Sequence, residues 1–177
     1  KEYFAKKFIS NIEIRTTLKL LGEERIKKSF INRIVSWEPV PSCFSVYLVM
    51  KPQSFHNFNY NIYHFANEEM VWNAHRYQKE KWPETYMLSS TESRHNPGFS
   101  ESLTAISYMD FQEVEAWKET SNTVADEHER GALYEKFKME KAEKMIDALE
   151  KKFPDLRKSV KRFYTSSPLS YRDYIGS

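Results

Sequence analysis

The run Cys43-Phe44-Ser45-Val46-Tyr47-Leu48-Val49-Met50 constrains this chain more than any other stretch. It is rich in β-formers and apolar on both alternating sets, with Phe44, Val46, Leu48 and Met50 on one side and Cys43, Tyr47 and Val49 on the other. A strand with one wet face alternates apolar and polar, so a run apolar on both sides belongs in the interior of a sheet, with strands on either hand. The fold must therefore supply several further strands and something to cover at least one face.

Those strands are visible in the pattern. Phe58 to Phe65 alternates and predicts a strand neighbouring the first, with Asn59, Asn61, Tyr63 and Phe65 on one face. Tyr86 to Thr91 and Leu103 to Met109 predict a hairpin, because Asn96-Pro97-Gly98 between them is strong turn chemistry. Tyr3 to Ser10 predicts another strand. Helices are predicted mainly toward the two ends of the chain. Ile14, Leu18 and Leu21 fall at helical spacing before Gly22, a residue suited to a helix C-terminus, and a second short helix follows through Ile26, Phe30, Ile31 and Ile34 until Pro39 and Pro41 break it. Glu68 to Lys81 has helical character with weak periodicity, and Phe111 to Thr120 predicts a helix. Leu133, Phe137, Met145, Ile146, Leu149 and Phe153 trace the apolar stripe of a long helix whose wet side carries the pairs Glu140/Lys144 and Asp147/Lys151. After Pro154, Leu156 to Phe163 predicts a short helix running into a strand, and one more turn follows Pro168. The order strand, helices, strands, helices predicts an α+β domain over residues 1–177: a mostly antiparallel sheet of about five strands, helices mainly on one face, and a long C-terminal helix.

Composition narrows the function classes. A chain of 177 residues, 40% apolar and 29% charged, can bury a core, and its net charge of +2 with interspersed signs gives no reason to expect a nucleic-acid partner. The single cysteine, Cys43, rules out an internal disulfide and a cysteine-based zinc site and fits a reducing, cytoplasmic compartment. No run approaches the ~18 apolar residues needed to span a bilayer. The sequence starts at Lys1 in what reads as mid-strand and closes on Gly176-Ser177, so the expectation is a segment excised from a longer protein.

Phe8-Ile9-Ser10-Asn11, Thr17 to Leu21, Ser42 to Leu48, Trp117, Pro154 to Leu156 and Thr165 to Gly176 together resemble, in order and spacing, the substrate side of the FAD-dependent phytoene desaturases, carotenoid isomerases and retinol saturases. In that family the corresponding signals are a strand ending in S-N, T-x-x-x-L-L, S-x-F-x-x-Y-L, a Trp-containing helix, P-x-L, and T-P-x-T leading to Y-x-G. The chain departs from them where Asn96-Pro97-Gly98 only echoes the usual Pro- and Gly-rich loop, and where Ser167-Pro168 replaces Thr-Pro. The resemblance implies a substrate-binding domain of an FAD oxidoreductase that holds a polyene or other apolar, lipid-like substrate for hydride exchange with flavin N5. The partner it implies is the FAD-binding domain of the same protein. FAD itself is not expected on this segment, because Gly22, Gly98, Gly131 and Gly176 are scattered and form no G-x-G-x-x-G turn. The alternative is a stand-alone α+β module for an apolar ligand or a protein partner.

The residues singled out for substrate contact are Asn59, Asn61, Tyr63 and Phe65, with Tyr47 from the first strand. Only one of the two alternating sets can line a pocket while the other packs on helices, and the two asparagines break the apolar pattern on their face, as solvent or a polar-edged ligand site would require. For any one of the rings, plain core packing under the helices is the ordinary reading. No catalytic group is nominated. The histidines His56, His64, His75, His95 and His128 have no metal-like spacing; His64 among aromatic neighbours is the one to examine, with a hydrogen-bonded sheet histidine as its ordinary role. Cys43 on an apolar strand reads as a buried, inert thiol. The C-terminal third has a basic tilt, with Lys138, Lys141, Lys144, Lys151, Lys152, Arg157, Lys158, Lys161 and Arg162. A solvated helix face accounts for this, while the lipid substrates of the resembled family add a peripheral membrane contact, diluted by Glu140, Glu143, Asp147 and Glu150. If the segment is excised, Tyr3 to Ile9, Phe163 to Ile175 and the aromatic sheet face lose their cover, and a homodimer of the segment is expected.

Overall fold

A computed structural model of the chain describes residues 3–37, 41–124 and 129–175. Lys1, Pro39, His128, Gly176 and Ser177, which enter the sequence reading, lie outside the described residues. Five strands make one antiparallel sheet: β1 (Ser42–Met50), β2 (Ile62–Phe65), β3 (Thr85–Glu92), β4 (Ser100–Met109) and β5 (Val160–Ser166), in the order β2-β3-β4-β1-β5. Six α-helical segments are described: α1 (Ile14–Leu21), α2 (Lys28–Val35), α3 (Met70–Asn73), α4 (Ala132–Glu150), α5 (Leu156–Ser159) and α6 (Pro168–Ile175). The chain is thus α+β, as its pattern of elements predicts.

β1 is flanked on both sides, which explains why it is apolar on both alternating sets. Leu48 lies opposite Leu103 on β4 and Phe163 on β5, and Val46 opposite Ala105 and Thr165. Phe44, Val46, Leu48 and Met50 all face α4, where they join Leu88, Leu103 and Ala105 against Ala142, Met145, Ile146 and Leu149. The 3.6-residue stripe of α4 and the period-2 set of β1 meet in this one layer. Each fully buried side chain of this kind stabilises the fold by roughly 1.5–3 kcal/mol. At the other end of α4, Tyr134 packs with Val114 and Leu169, which brings α6 onto the end of the sheet.

The local signals of the sequence are met at several points. Gly22 ends α1 at φ +84°, and Gly98 takes φ +83° in the β3–β4 hairpin, a backbone region in which a side chain is strained. Other expectations are corrected. Tyr3 to Ser10 forms no strand; it is irregular, with a bend at Lys6, and Phe4 is 91% and Ile9 99% exposed. The strand expected over Phe58 to Phe65 shrinks to Ile62–Phe65, and it neighbours β3 at the far edge of the sheet rather than β1. The reason lies in the preceding loop. Phe55 and Phe58 turn onto Phe153 at the end of α4, and the Asn57 and Ser100 amides donate to the Gly98 and Phe55 carbonyls at 2.9 Å, which ties the loop to the hairpin. Phe111–Trp117 is a 3₁₀ helix, and Glu68 to Lys81 yields only α3 and two 3₁₀ turns, in keeping with its weak periodicity. Leu133, counted in the α4 stripe, is 75% exposed.

Between the 3₁₀ helix and α4 lies a charged pair, Glu113 and Lys141, with side chains 8% and 10% exposed and Nζ 2.5 Å from Oε2. The Tyr77 hydroxyl donates to the other Glu113 oxygen and accepts from the Asp110 amide at 2.7 Å, while the Lys141 ammonium stands 4.7 Å from the Trp82 ring centre. Burial, reinforced by the Glu113 carboxylate, pushes the Tyr77 phenol up, so it remains a donor across the working range. Removing one partner leaves a buried, unpaired charge, whereas removing both does not. Glu113→Gln or Lys141→Met should each lower stability by about 3 kcal/mol in urea unfolding, and the double variant should recover most of that loss. Single variants indistinguishable from the parent protein would show that the pair is not closed off from water.

Candidate binding site on the open sheet face

The alternation that sends Phe44, Val46 and Leu48 to α4 sends Cys43, Ser45, Tyr47 and Val49 to the opposite face. Register then determines their company. Cys43 lies opposite Tyr108 and Ser45 opposite Ile106; Ile106 lies opposite Met87, Met87 opposite Tyr63, and Thr85 opposite Phe65. Across four strands this makes a groove of about 420 Å³ whose apolar lining includes Cys43, Tyr63, Phe65, Met87, Ile106 and Tyr108, with Val71 of α3 and Ala74, which caps that helix, as one wall. Tyr63 is 61% exposed, so the groove is open to solvent.

At one end of this face, the Tyr171 hydroxyl of α6 lies 2.6 Å from Ser45 Oγ. Burial pushes the Cys43 thiol up, partly opposed by the Tyr171 hydroxyl, and burial likewise raises the Tyr171 phenol. Cys43 is half-buried in the groove rather than enclosed in the core. A thiol held above its ordinary range is a poor nucleophile at neutral pH, and its place among rings makes it part of a binding wall.

A second cavity, of about 480 Å³, opens at the outer edge of β5 between α6 and the first turns of α4, with Tyr47, Tyr134, Tyr171, Tyr174, Arg130 and Lys138 in its walls. Its base is a charged anchor. Asp173, with its side chain 3% exposed, pairs with Arg130 and accepts from the Asn122 amide at 2.9 Å and from Arg172 Nε at 2.8 Å, while Arg130 Nε donates to Thr120 at 2.8 Å. Burial alone would raise the Asp173 carboxyl; the Asn122 amide and the Arg172 and Arg130 guanidiniums outweigh it and hold the carboxyl below its ordinary value. These groups bind loop to helix and satisfy one another.

The residues singled out from sequence are divided by the fold. Tyr63 and Phe65 lie together in the groove, and Tyr47, on the same sheet face, lines the second cavity instead. Asn59 and Asn61 precede β2 in the loop, are exposed, and line neither cavity. His64 borders the groove, but its ring stacks on Tyr86 at 4.7 Å; burial and then Lys152 and Lys151 push its pKa down, an arrangement that favours neutral imidazole. Sequence reasoning missed Met87, Ile106 and Tyr108. Their signal was the period-2 spacing of Ile106 and Tyr108 in a hairpin already predicted. Among the described residues, no group of three His, Cys, Asp or Glu side chains is placed to hold a metal ion.

No protein-family model matches the chain, and no curated protein or solved structure is significantly similar to it. The site therefore rests on its own geometry.

Two measurements follow from the titrating groups. Iodoacetamide at pH 8 should modify Cys43 at least about tenfold more slowly than it modifies glutathione, since a raised pKa leaves less thiolate; an equal rate would show a fully solvated thiol. Asp173→Asn should cost about 2 kcal/mol at pH 7. A folded-state pKa below the unfolded value stabilises above the unfolded pKa and ceases to as pH falls through the folded one. The difference between parent and variant should hence fade below about pH 4, and a deficit constant down to pH 2 would contradict an ionised role.

Proposed function

We propose that the chain is the substrate-binding part of an FAD-dependent oxidoreductase similar to phytoene desaturases, carotenoid isomerases and retinol saturases, with its open sheet face holding an apolar, polyene- or lipid-like substrate. The observation that carries this reading is the groove opposite α4. The open sheet face opposite α4, lined by Tyr63, Phe65, Met87 and Ile106, offers a flat ligand an apolar wall, and about 420 Å³ is within the size of small-molecule sites. The motifs behind the resemblance fall on regular elements: Ser42 to Leu48 lies in β1, Thr17 to Leu21 lies in α1, and Ser167 precedes Pro168, the first residue of α6, with Ser167 Oγ 2.6 Å from the Tyr134 hydroxyl. Phe8 to Asn11, a strand in the family, is the exception and forms none here.

The chain's own residues do not fit a flavin. Pyrophosphate recognition needs a glycine-rich turn between a strand and a helix N-terminus. Gly22 ends α1, Gly98 lies in a hairpin, and Gly131 precedes α4 but follows residues 129–130, which are not in a strand. FAD and the redox step accordingly belong to another part of the protein in this reading. What these residues do in this reading is present an apolar wall that holds the substrate.

Among the described residues, no helix is long and apolar enough to cross a membrane. A cytoplasmic site of action, with peripheral contact to a lipid source, completes the proposal. The second reading is a stand-alone module for an apolar ligand or protein partner, which the exposed Val71 (45%) and Trp72 (84%) beside the groove favour.

All-trans-retinol, followed by its fluorescence on titration with the chain, should bind with a dissociation constant in the micromolar range, as ordinary apolar burial provides. Ile106→Asp should weaken it at least about tenfold. Added FAD should be lost on gel filtration, leaving no absorbance at about 450 nm. Retinol binding that is absent, or indifferent to Ile106→Asp, would end the substrate reading for this face, and retained flavin would end the assignment of FAD to another part of the protein.

A further inference from the structure

Phe4 and Ile9 head the exposed apolar surface among the described residues, at 91% and 99%, with Tyr3 and Phe8 at 75% and 73%. All four lie in the segment 3–12, an irregular stretch with bends at Lys6 and Ile12. The segment carries Lys6 and Lys7 between its rings and no acid. Near its end, Ser10 Oγ lies 2.7 Å from Thr17 Oγ1, which ties it to α1. Rings left this open to water mark an interaction surface, and Tyr and Phe interleaved with Lys suit the boundary of a bilayer.

The two helices that follow continue the mixture. Leu20, Leu21, Val35 and Trp37 are exposed, and Arg15 donates to the Trp37 carbonyl at 2.9 Å, which holds the end of α2 against α1. Every Lys and Arg of residues 3–37, eight in all, is exposed, against three glutamates. Of these, Glu13 caps α1 by accepting from the Thr16 amide at 2.8 Å, and Glu24 lies 3.7 Å from Arg25. Residues 38–177 hold 18 Lys and Arg against 21 Asp and Glu, so a part with net charge +5 is joined to a remainder with net charge −3. Such a division turns the basic part toward an anionic surface. The C-terminal third is the poorer candidate for that contact, because several of its cations are paired: Arg157 with Glu143, Asp147 and Glu150, Lys158 with Asp155, and Lys141 with Glu113.

We propose that residues 3–37 dock the molecule on an anionic lipid leaflet, with Tyr3, Phe4, Phe8 and Ile9 entering the boundary between headgroups and acyl chains and the exposed cations held at the headgroups. The aliphatic side chains choose lipid over other polyanions. Ile9, Leu20, Leu21 and Val35 gain nothing from a phosphate backbone or from base stacking, whereas an acyl boundary removes their surface from water. Lys7 adjoins Phe8 in the chain, so insertion of the ring brings an ammonium group to the lipid phosphates. The inference shares with the proposed function only the contact with lipid, and depends neither on a flavin nor on the groove.

Cosedimentation with vesicles tests it. In about 100 mM salt the parent chain should bind phosphatidylcholine vesicles containing about 30% phosphatidylserine at least about tenfold more tightly than phosphatidylcholine alone, and about 500 mM salt should remove most of that difference. Phe8→Asp/Ile9→Asp and Lys6→Glu/Lys7→Glu, both in the irregular segment, should each weaken binding at least about tenfold. Lys27→Glu/Lys28→Glu, at the start of α2 where an acid suits the helix, should do the same with the segment intact. Circular dichroism and the urea midpoint, unchanged in the segment variants, establish that folding is intact. No binding to the serine-containing vesicles, equal binding to the two compositions, or indifference to Phe8→Asp/Ile9→Asp or to both charge reversals would overturn the proposal. So would a single-stranded oligonucleotide of about 20 nucleotides that binds more tightly than the vesicles and displaces the chain from them. Retinol titration separates this inference from the substrate reading: Phe8→Asp/Ile9→Asp should bind retinol as the parent does, and a parent that binds vesicles but no retinol would end the substrate reading alone.

Discussion

The double pairing of β1 is the constraint on which the rest of the structure depends. It holds β4 on one side and β5 on the other, and its α4-facing side chains supply the centre of the core. Because every second residue turns away from α4, the same strand also presents Cys43, Ser45 and Tyr47 to the opposite side. The open face is thus a geometric by-product of a well-buried strand, and its apolar character comes from residues that the core does not need.

Polar groups inside this framework are settled in closed sets. Glu113, Lys141 and Tyr77 satisfy one another beneath Trp82, whose own Nε1 donates to the Tyr108 carbonyl at 2.8 Å. Asp173 gathers Arg130, Arg172 and the Asn122 amide. Among the described residues no buried side-chain nitrogen or oxygen lacks a partner. With the buried charges of the described residues paired with one another, the interior leaves the chemistry of the molecule to its surfaces, among them the apolar groove.

What was legible in the sequence was what neighbouring residues decide. Gly22 marked the end of α1, Asn96-Pro97-Gly98 marked the hairpin, and the stripe from Phe137 to Leu149 marked α4, because capping, turn chemistry and periodicity are local. Pairing across the sheet is not local. Nothing near Ile62 says that it lies opposite Leu88 rather than a residue of β1, and nothing near Glu113 announces Lys141, 28 positions away. For the groove the loss was similar: Tyr63 and Phe65 could be chosen by alternation, but Met87 and Ile106 join them only through two registers. Asn59 and Asn61 were chosen by extending that alternation into residues that turn out to be loop.

The two outer strands differ in how they end the sheet. β2 offers only four residues at its free edge, too short to template a long ladder, and β5 carries Lys161 and Arg162, exposed cations that repel a like edge. Edges of this kind discourage continued strand addition, the route by which unpaired β-sheet propagates into aggregates. A sheet so terminated can leave a broad apolar face open to solvent and still stop at five strands.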